Sequence, residues 1–266
     1  MRIAVALAFF VTSSALAGQT LVVCAPGYPG TTIEAQPAMD EFAARLAEAA
    51  GLATGELGAV YFEQELPGLA RLQKEDAALA LVPLAFFLQH GNELGLHAKL
   101  QAVQTGGAAL EVWTLVARKG TRSLDRFTVA SIAGFSPRFV HAMVKLPPSV
   151  SIVHSAAVLS SLRKAAAGEP VAVLLDATEE AATATLPFAG EVERLATSRK
   201  VPAAIVATVG ERLRPDHWGA FARAFAKLPE SPAGAEAMAA VRMERFVPLD
   251  EAALASAREA FAGVAQ

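Results

Sequence analysis

The segment Leu110-Glu111-Val112-Trp113-Thr114-Leu115-Val116-Ala117-Arg118-Lys119 decides how this chain is laid out. It is rich in β-branched and aromatic residues and lies between Gly106-Gly107 and Gly120, the composition and punctuation of a strand. Before it, apolar runs and amphipathic stretches alternate; after it a shorter series of the same kind begins. A second apolar segment, Val201–Val209, closes that series and precedes a helical tail. The two segments read as antiparallel crossovers, so the chain leaves one lobe, builds another and returns. This predicts an α/β fold of two lobes with two crossover strands, and a cleft between the lobes, where small ligands bind by preference.

Working outward, the first part of lobe one is expected over 18–115. Gln19–Ala25 reads as a strand, and Pro26-Gly27-Tyr28-Pro29-Gly30 as a turn. Met39–Ala50 sets Phe42, Leu46 and Ala49-Ala50 on one face of a helix. Gly58–Phe62, Ala77–Val82 and Leu100–Thr105 read as strands, with a helix over Leu66–Lys74 and another helix or turn from Leu84 to His90. Ala77–Val82 is apolar throughout, as a parallel strand covered on both faces must be. Lobe two is expected over 116–200, with strands at Thr128–Ile132, Val150–Val153 and Val171–Leu175. The return and C-terminal helices occupy 201–266, with helices at Trp218–Lys227, Ala233–Val241 and Glu251–Phe261.

Residues 1–17 read as a secretory signal peptide. Met1-Arg2 is a positive start, Ile3–Val11 an apolar run too short for the roughly 20 residues of a bilayer span, and Ala15-Leu16-Ala17 a small-x-small cleavage site. A first hydrophobic strand or an anchor is the competing reading. Hydrophobic residues make up 53% of the 266 and the formal net charge is −3. With no basic stripe, nucleic acid is not an expected partner. Cys24 is alone and reads as a buried strand residue.

Enzyme templates are absent. His90, His97, His141, His154 and His217 form no metal-ligand spacing, and there is no nucleophile elbow, P-loop or dinucleotide fingerprint. No catalytic residue, metal or cofactor is expected. Glu179-Glu180 reads as the solvated face of a helix. The ends of the strands carry the candidates, because ligands of open α/β sheets sit there. Tyr28 follows the first strand, and Phe86 and Phe87 follow the third. Ser136-Pro137-Arg138 opens a helix, and can either bind an anion or simply cap that helix. Asp176-Ala177-Thr178 ends a buried strand, where Asp176 can accept from a ligand N–H or O–H or cap the next helix. His154 ends another strand, as a ligand contact or a structural histidine.

The order of these features resembles the periplasmic solute-binding proteins of ABC importers, of the type that binds phosphate, phosphite or phosphonate. The resemblance rests on the signal peptide, the proline-rich turn after strand one, Ala78–Pro83 followed by aromatics, and the crossover Val112–Lys119. It extends to His154 before a helix carrying Ser160-Ser161-Leu162, the strand ending in Asp176, and Ser198–Pro202. It implies a type 2 periplasmic binding fold, hinge closure on a small ligand without catalysis, and an inner-membrane ABC permease as partner. By the same resemblance the ligand contacts fall at Tyr28, Phe86, Ser136, Arg138, His154, Asp176 and Thr178. Where the family carries a Ser/Thr-rich anion loop, Ala133-Gly134-Phe135-Ser136-Pro137 keeps one hydroxyl. A phosphonate taken out of water needs nearly every oxygen satisfied. The Phe86, Phe87, Phe135 and Phe139 set suits a more apolar ligand, and a periplasmic carrier of a lipid or sterol on the same fold is the alternative.

Overall fold

A computed structural model describes residues 18–214 and 216–264; the expected signal peptide lies outside them. In chain order the elements are β1 (Gln19–Cys24), α1 (Thr32–Ala50), β2 (Leu57–Phe62), α2 (Glu65–Leu72), β3 (Ala77–Pro83), α3 (Leu84–His90) and β4 (Leu96–Gln104). The crossover supplies β5 (Leu110–Glu111) and β6 (Thr114–Arg118). Then come β7 (Thr128–Ser131), α4 (Pro137–Met143), β8 (Ser151–His154), α5 (Val158–Ala167), β9 (Val171–Leu175), α6 (Ala177–Thr183) and β10 (Val192–Thr197). The return supplies β11 (Val201–Pro202) and β12 (Ala204–Val209), followed by α7 (His217–Lys227), α8 (Pro232–Ala240), β13 (Met243–Pro248) and α9 (Glu251–Ala262).

Two sheets form two lobes. Lobe one holds the order β13-β4-β12-β3-β1-β2, with β2, β1 and β3 parallel and the strands beyond them antiparallel. Lobe two holds β10-β6-β9-β7-β8, with β9, β7 and β8 parallel. Between them β5 and β11 form a short antiparallel ladder, Glu111 opposite Val201 and Leu110 opposite Pro202.

Each crossover is therefore two strands rather than one. The first breaks at Val112-Trp113, where Trp113 turns its indole inward against Phe139, ring centres 5.2 Å apart. Trp113 N–H donates to Ser198 Oγ at 2.9 Å, and its carbonyl accepts from Ser198 N–H at 2.8 Å, which ties the crossovers beyond the ladder. The second breaks after Pro202, which has no N–H to continue a ladder. The Ala203 carbonyl accepts instead from Leu84 N–H at the start of α3.

The first helix is longer than its apolar stripe predicts. Thr31 and Glu34 form a capping box at its start, and Pro37 is carried inside it. Of the expected face, Phe42 and Leu46 are buried, joined by Met39, Ala43 and Ala47, whereas Ala49 is exposed; the helix lies against sheet one together with α7, where Phe225 meets Phe246 at 4.6 Å. A second apolar cluster runs without interruption from Phe86 and Phe87 in lobe one, through Trp113, to Phe139 and Leu174 in lobe two. At about 25 cal/mol per Å² of apolar surface, burial of this kind is what holds the lobes in contact. Cys24 is fully buried, as its strand position predicts, and burial raises its thiol to about 12. No helix among the described residues is long and apolar enough to cross a membrane.

Candidate functional site

A cavity of about 600 Å³ lies between the lobes, within the range usual for small-molecule sites. Lobe one contributes one face of α1 (Glu34, Ala35, Ala38, Met39, Phe42), the ends of β1 and β3, Tyr28, Tyr61 and the segment from Ala240 to Met243. Lobe two contributes Ile132 and the start of α6: Asp176, Thr178, Glu179 and Ala182. Alanine, valine, leucine, isoleucine, proline, methionine and phenylalanine supply most of the wall.

The turn after β1 brings lobe one to lobe two. Gly27 adopts φ +82°, and a Cβ there would stand 2.6 Å from His154 Cε1 and 2.9 Å from Ile132 Cγ1, so backbone and lobe two meet where only hydrogen fits. Tyr28 follows. Tyr61 Oη donates to its carbonyl at 3.2 Å, fixing the turn. Its own hydroxyl crosses the cleft and donates to Asp176 Oδ2 at 3.2 Å.

Asp176 caps the next helix, one of the two roles its sequence position allowed, and its side chain also reaches the cavity wall. Oδ1 accepts from Glu179 N–H at 2.8 Å, and Glu179 Oε2 accepts from Asp176 N–H at 3.0 Å, a capping box that opens α6. Oδ2 is left for Tyr28 and for whatever enters the cavity. Glu111, at the hinge ladder, adds a third carboxylate and is 8% exposed. Burial and then the Asp176 charge hold the Glu111 carboxyl well above the usual range. Burial raises Asp176, and burial followed by the Asp176 charge pushes Glu179 up to about 8. Burial, then Asp176, Glu111 and Glu179, raise the Tyr28 phenol well above its ordinary value.

None of Glu111, Asp176 and Glu179 takes part in an ion pair among the described residues; Arg194 pairs with the neighbouring Glu180. On the described cavity wall the one cation is Arg242, in lobe one. The indole N–H of Trp113 is buried beside the Glu111 carboxyl and makes no hydrogen bond of ordinary geometry among the described residues. The site is thus an apolar hollow with an acidic end. It offers acceptors, and burial raises the carboxyls of Glu111, Asp176 and Glu179 above their ordinary range.

Of the residues expected from sequence, Tyr28, Asp176 and Thr178 come together on this wall. Phe86 is fully buried beside His90, ring centres 4.9 Å apart, and does not line the cavity. Ser136 is fully buried; its hydroxyl donates to Gln89 Oε1 at 2.8 Å and accepts from Phe139 N–H. The N–H groups of Ala133, Gly134 and Ser136 are likewise taken within the turn, by Ser131 Oγ, Ser131 O and Ala133 O. That leaves α4 as a capped helix start rather than a nest of free donors. Arg138 points away from the cavity to the end of α9, and His154 packs edge-on to Phe135 over Gly27. Glu179, read from sequence with Glu180 as a solvated helix face, is instead half-buried on the cavity wall, and Glu111, buried beside the site, is the carboxylate that sequence reading missed. The Asp-Ala-Thr-Glu spacing of a capping box carries a signal for Glu179; Glu111 has no local signal, because only the fold brings it to Asp176.

No family profile and no curated relative matches the chain. Solved structures do. A Xanthomonas citri protein solved with chloride superposes with TM-score 0.72 at 14% identity, covering 93% of this chain and 97% of its own. The binding-protein component of an ABC phosphonate transporter from Pseudomonas aeruginosa gives TM-score 0.64 at 12% identity, with 91% and 85% covered. PhnD1 from Prochlorococcus marinus, in complex with methylphosphonate, gives 0.62 at 10%, with 91% and 97% covered. At such identities the likeness speaks for fold, and the chain has the two-lobe, type 2 periplasmic binding fold.

Proposed function

We propose that this chain is the periplasmic substrate-binding component of an ABC importer, and that it holds an apolar or amphipathic molecule whose head donates hydrogen bonds. Residues 1–17 serve as the cleaved signal; the expected boundary at 115 falls inside β6 (Thr114–Arg118), so lobe one comprises 18–113 and 201–266, and lobe two 114–200. Capture requires no bond to be made or broken, and an inner-membrane permease receives the ligand. The fold shared with importer binding proteins supports the transport role.

The observation that carries the ligand class is the wall itself. An anion such as a phosphonate would enter a mostly apolar hollow beside Glu34, Asp176 and Glu179, with Arg242 as its one cation among the described lining residues. Desolvating such an anion without a matching set of donors costs several kcal/mol. A sterol, a lipid or a long-chain amine buries its body against Ala38, Met39 and Phe42 and gives its hydroxyl or ammonium protons to Asp176 and Glu179. Tyr28, Asp176 and Thr178 are the contacts we assign from the original set, with Glu179 added.

Mass spectrometry of the organic extract from purified, denatured protein tests this. One apolar or amphipathic molecule per chain is expected. An empty extract, together with calorimetric binding of methylphosphonate, would reverse the ligand class while leaving the transport role standing.

A further inference from the structure

We propose that the C-terminal helix α9 is a strap that sets the resting angle of the two lobes from outside the cavity, so that they meet before any ligand arrives. Helix α9 follows β13 and belongs by chain to lobe one, where the Asp250 N–H at its start donates to Gln101 Oε1 of β4 at 3.1 Å. Its far end is held by lobe two. Arg138 of α4 donates through Nε to the Phe261 carbonyl at 2.8 Å and through Nη2 to the Ala262 carbonyl at 3.2 Å. The same guanidinium lies 4.5 Å above the Phe261 ring.

The last carbonyls of a helix have no partner of their own, and a cation at that end is favoured by the helix dipole as well. A planar fork that meets two such carbonyls and stacks on a ring fixes a direction, which a point charge cannot do. Between its ends α9 is held at the crossover, where Arg199 Nη1 donates to Ser256 O at 3.1 Å and to Ser256 Oγ at 2.7 Å. Arg258 of α9 lies over the Phe87 ring of α3, 5.3 Å from its centre.

Beneath these contacts Leu254, Ala257 and Phe261 are buried in the apolar cluster that also holds Phe87 from lobe one and Phe139 from lobe two. The buried Ser136–Gln89 hydrogen bond joins α4 to α3 in the same place. No residue of α3, α4 or α9 lines the cavity. The lobes therefore share two interfaces: one around the cavity, which a ligand completes, and one made by these three helices, which is complete without it. Any rotation that parts α4 from α9 must break the Arg138 fork and wet Phe261.

The test is the interlobe distance in protein refolded from urea to remove passengers. Spin labels at Ala49→Cys on α1 and Lys164→Cys on α5 report it by pulsed electron resonance; Cys24 is fully buried. One narrow distribution is expected for this background. Arg138→Gln with Arg199→Gln should shift it to longer distances and broaden it, with Arg138→Lys in between. A background distribution already as broad as the double variant's would overturn the proposal, as would a natively folded double variant whose distances do not move. Should the double variant fail to fold, Arg138→Lys decides, and an unchanged distribution overturns the strap.

Discussion

Glu179→Gln is the substitution that most sharply tests the acidic end of the cavity. In the unfolded chain this carboxyl ionises near its ordinary 4.5, and in the folded protein it keeps its proton to about 8. Between those values the native state binds more protons than the unfolded state, so stability falls as pH rises, and the whole penalty is present above pH 8. One carboxyl whose pKa is raised contributes a slope of at most about 1.4 kcal/mol per pH unit. Glu179 is partly open to the cavity, so solvent screens the effect, and a loss on the order of 2 kcal/mol between pH 5 and 8 is the working figure. Asp176 and Glu111, also raised by burial, act in the same direction. Asp76, lowered first by its Arg71 hydrogen bond, loses its contribution only as pH falls below the ordinary 3.8. Cys24, Tyr28 and Tyr61, all raised, act only as pH climbs past their ordinary values of 9 to 10. Urea unfolding of ligand-free protein at pH 5, 6, 7 and 8 should show stability declining steadily, and Glu179→Gln should flatten the decline and be the more stable protein at pH 8. A profile that is flat or rises from pH 5 to 8, or a variant with an undiminished slope, would refute the buried, unpaired cluster.

Two backbone contacts give further tests. Gly27→Ala puts a Cβ 2.6 Å from His154 Cε1 at a φ of +82°; a loss of about 1–3 kcal/mol is expected in thermal unfolding, together with weaker ligand retention, because the wedge lies between the lobes. Gly68→Ala puts a Cβ 2.1 Å from Cys24 Sγ, where α2 crosses β1. It should cost about 1–3 kcal/mol, and less in a Cys24→Ala background, the difference being the coupling of a shared contact.

The architecture was legible because it rests on long apolar segments with clear punctuation. Ala77–Val82 is apolar without alternation and is the buried centre of sheet one, and the two crossovers are where their composition puts them. Their division was not legible: Val112-Trp113 looks like strand, and the break there goes with packing of the Trp113 indole on Phe139 of the other lobe. The start of α1 was misplaced for a related reason, since Pro37 argues locally against helix while the Thr31–Glu34 capping box and the burial of Met39 and Phe42 outweigh it. At the site, a residue at a strand end on the cavity side could be read, as with Tyr28 and Asp176. Ser136 and Arg138 show the limit. Both have the chemistry of an anion site, yet Ser136 spends its hydroxyl on Gln89 and its own helix, and Arg138 spends its guanidinium on the carbonyls of a helix more than a hundred residues away. Such long-range partners leave no local pattern.

The most direct measurement is calorimetry of the refolded protein, unaltered and as Ala38→Phe, against cholesterol and dodecylamine in detergent and against methylphosphonate and inorganic phosphate. Saturable, one-to-one binding of an amphiphile, abolished when Phe fills the α1 side of the cavity and absent for both anions, is the predicted result. One-to-one binding of methylphosphonate with no response to either amphiphile would contradict the account.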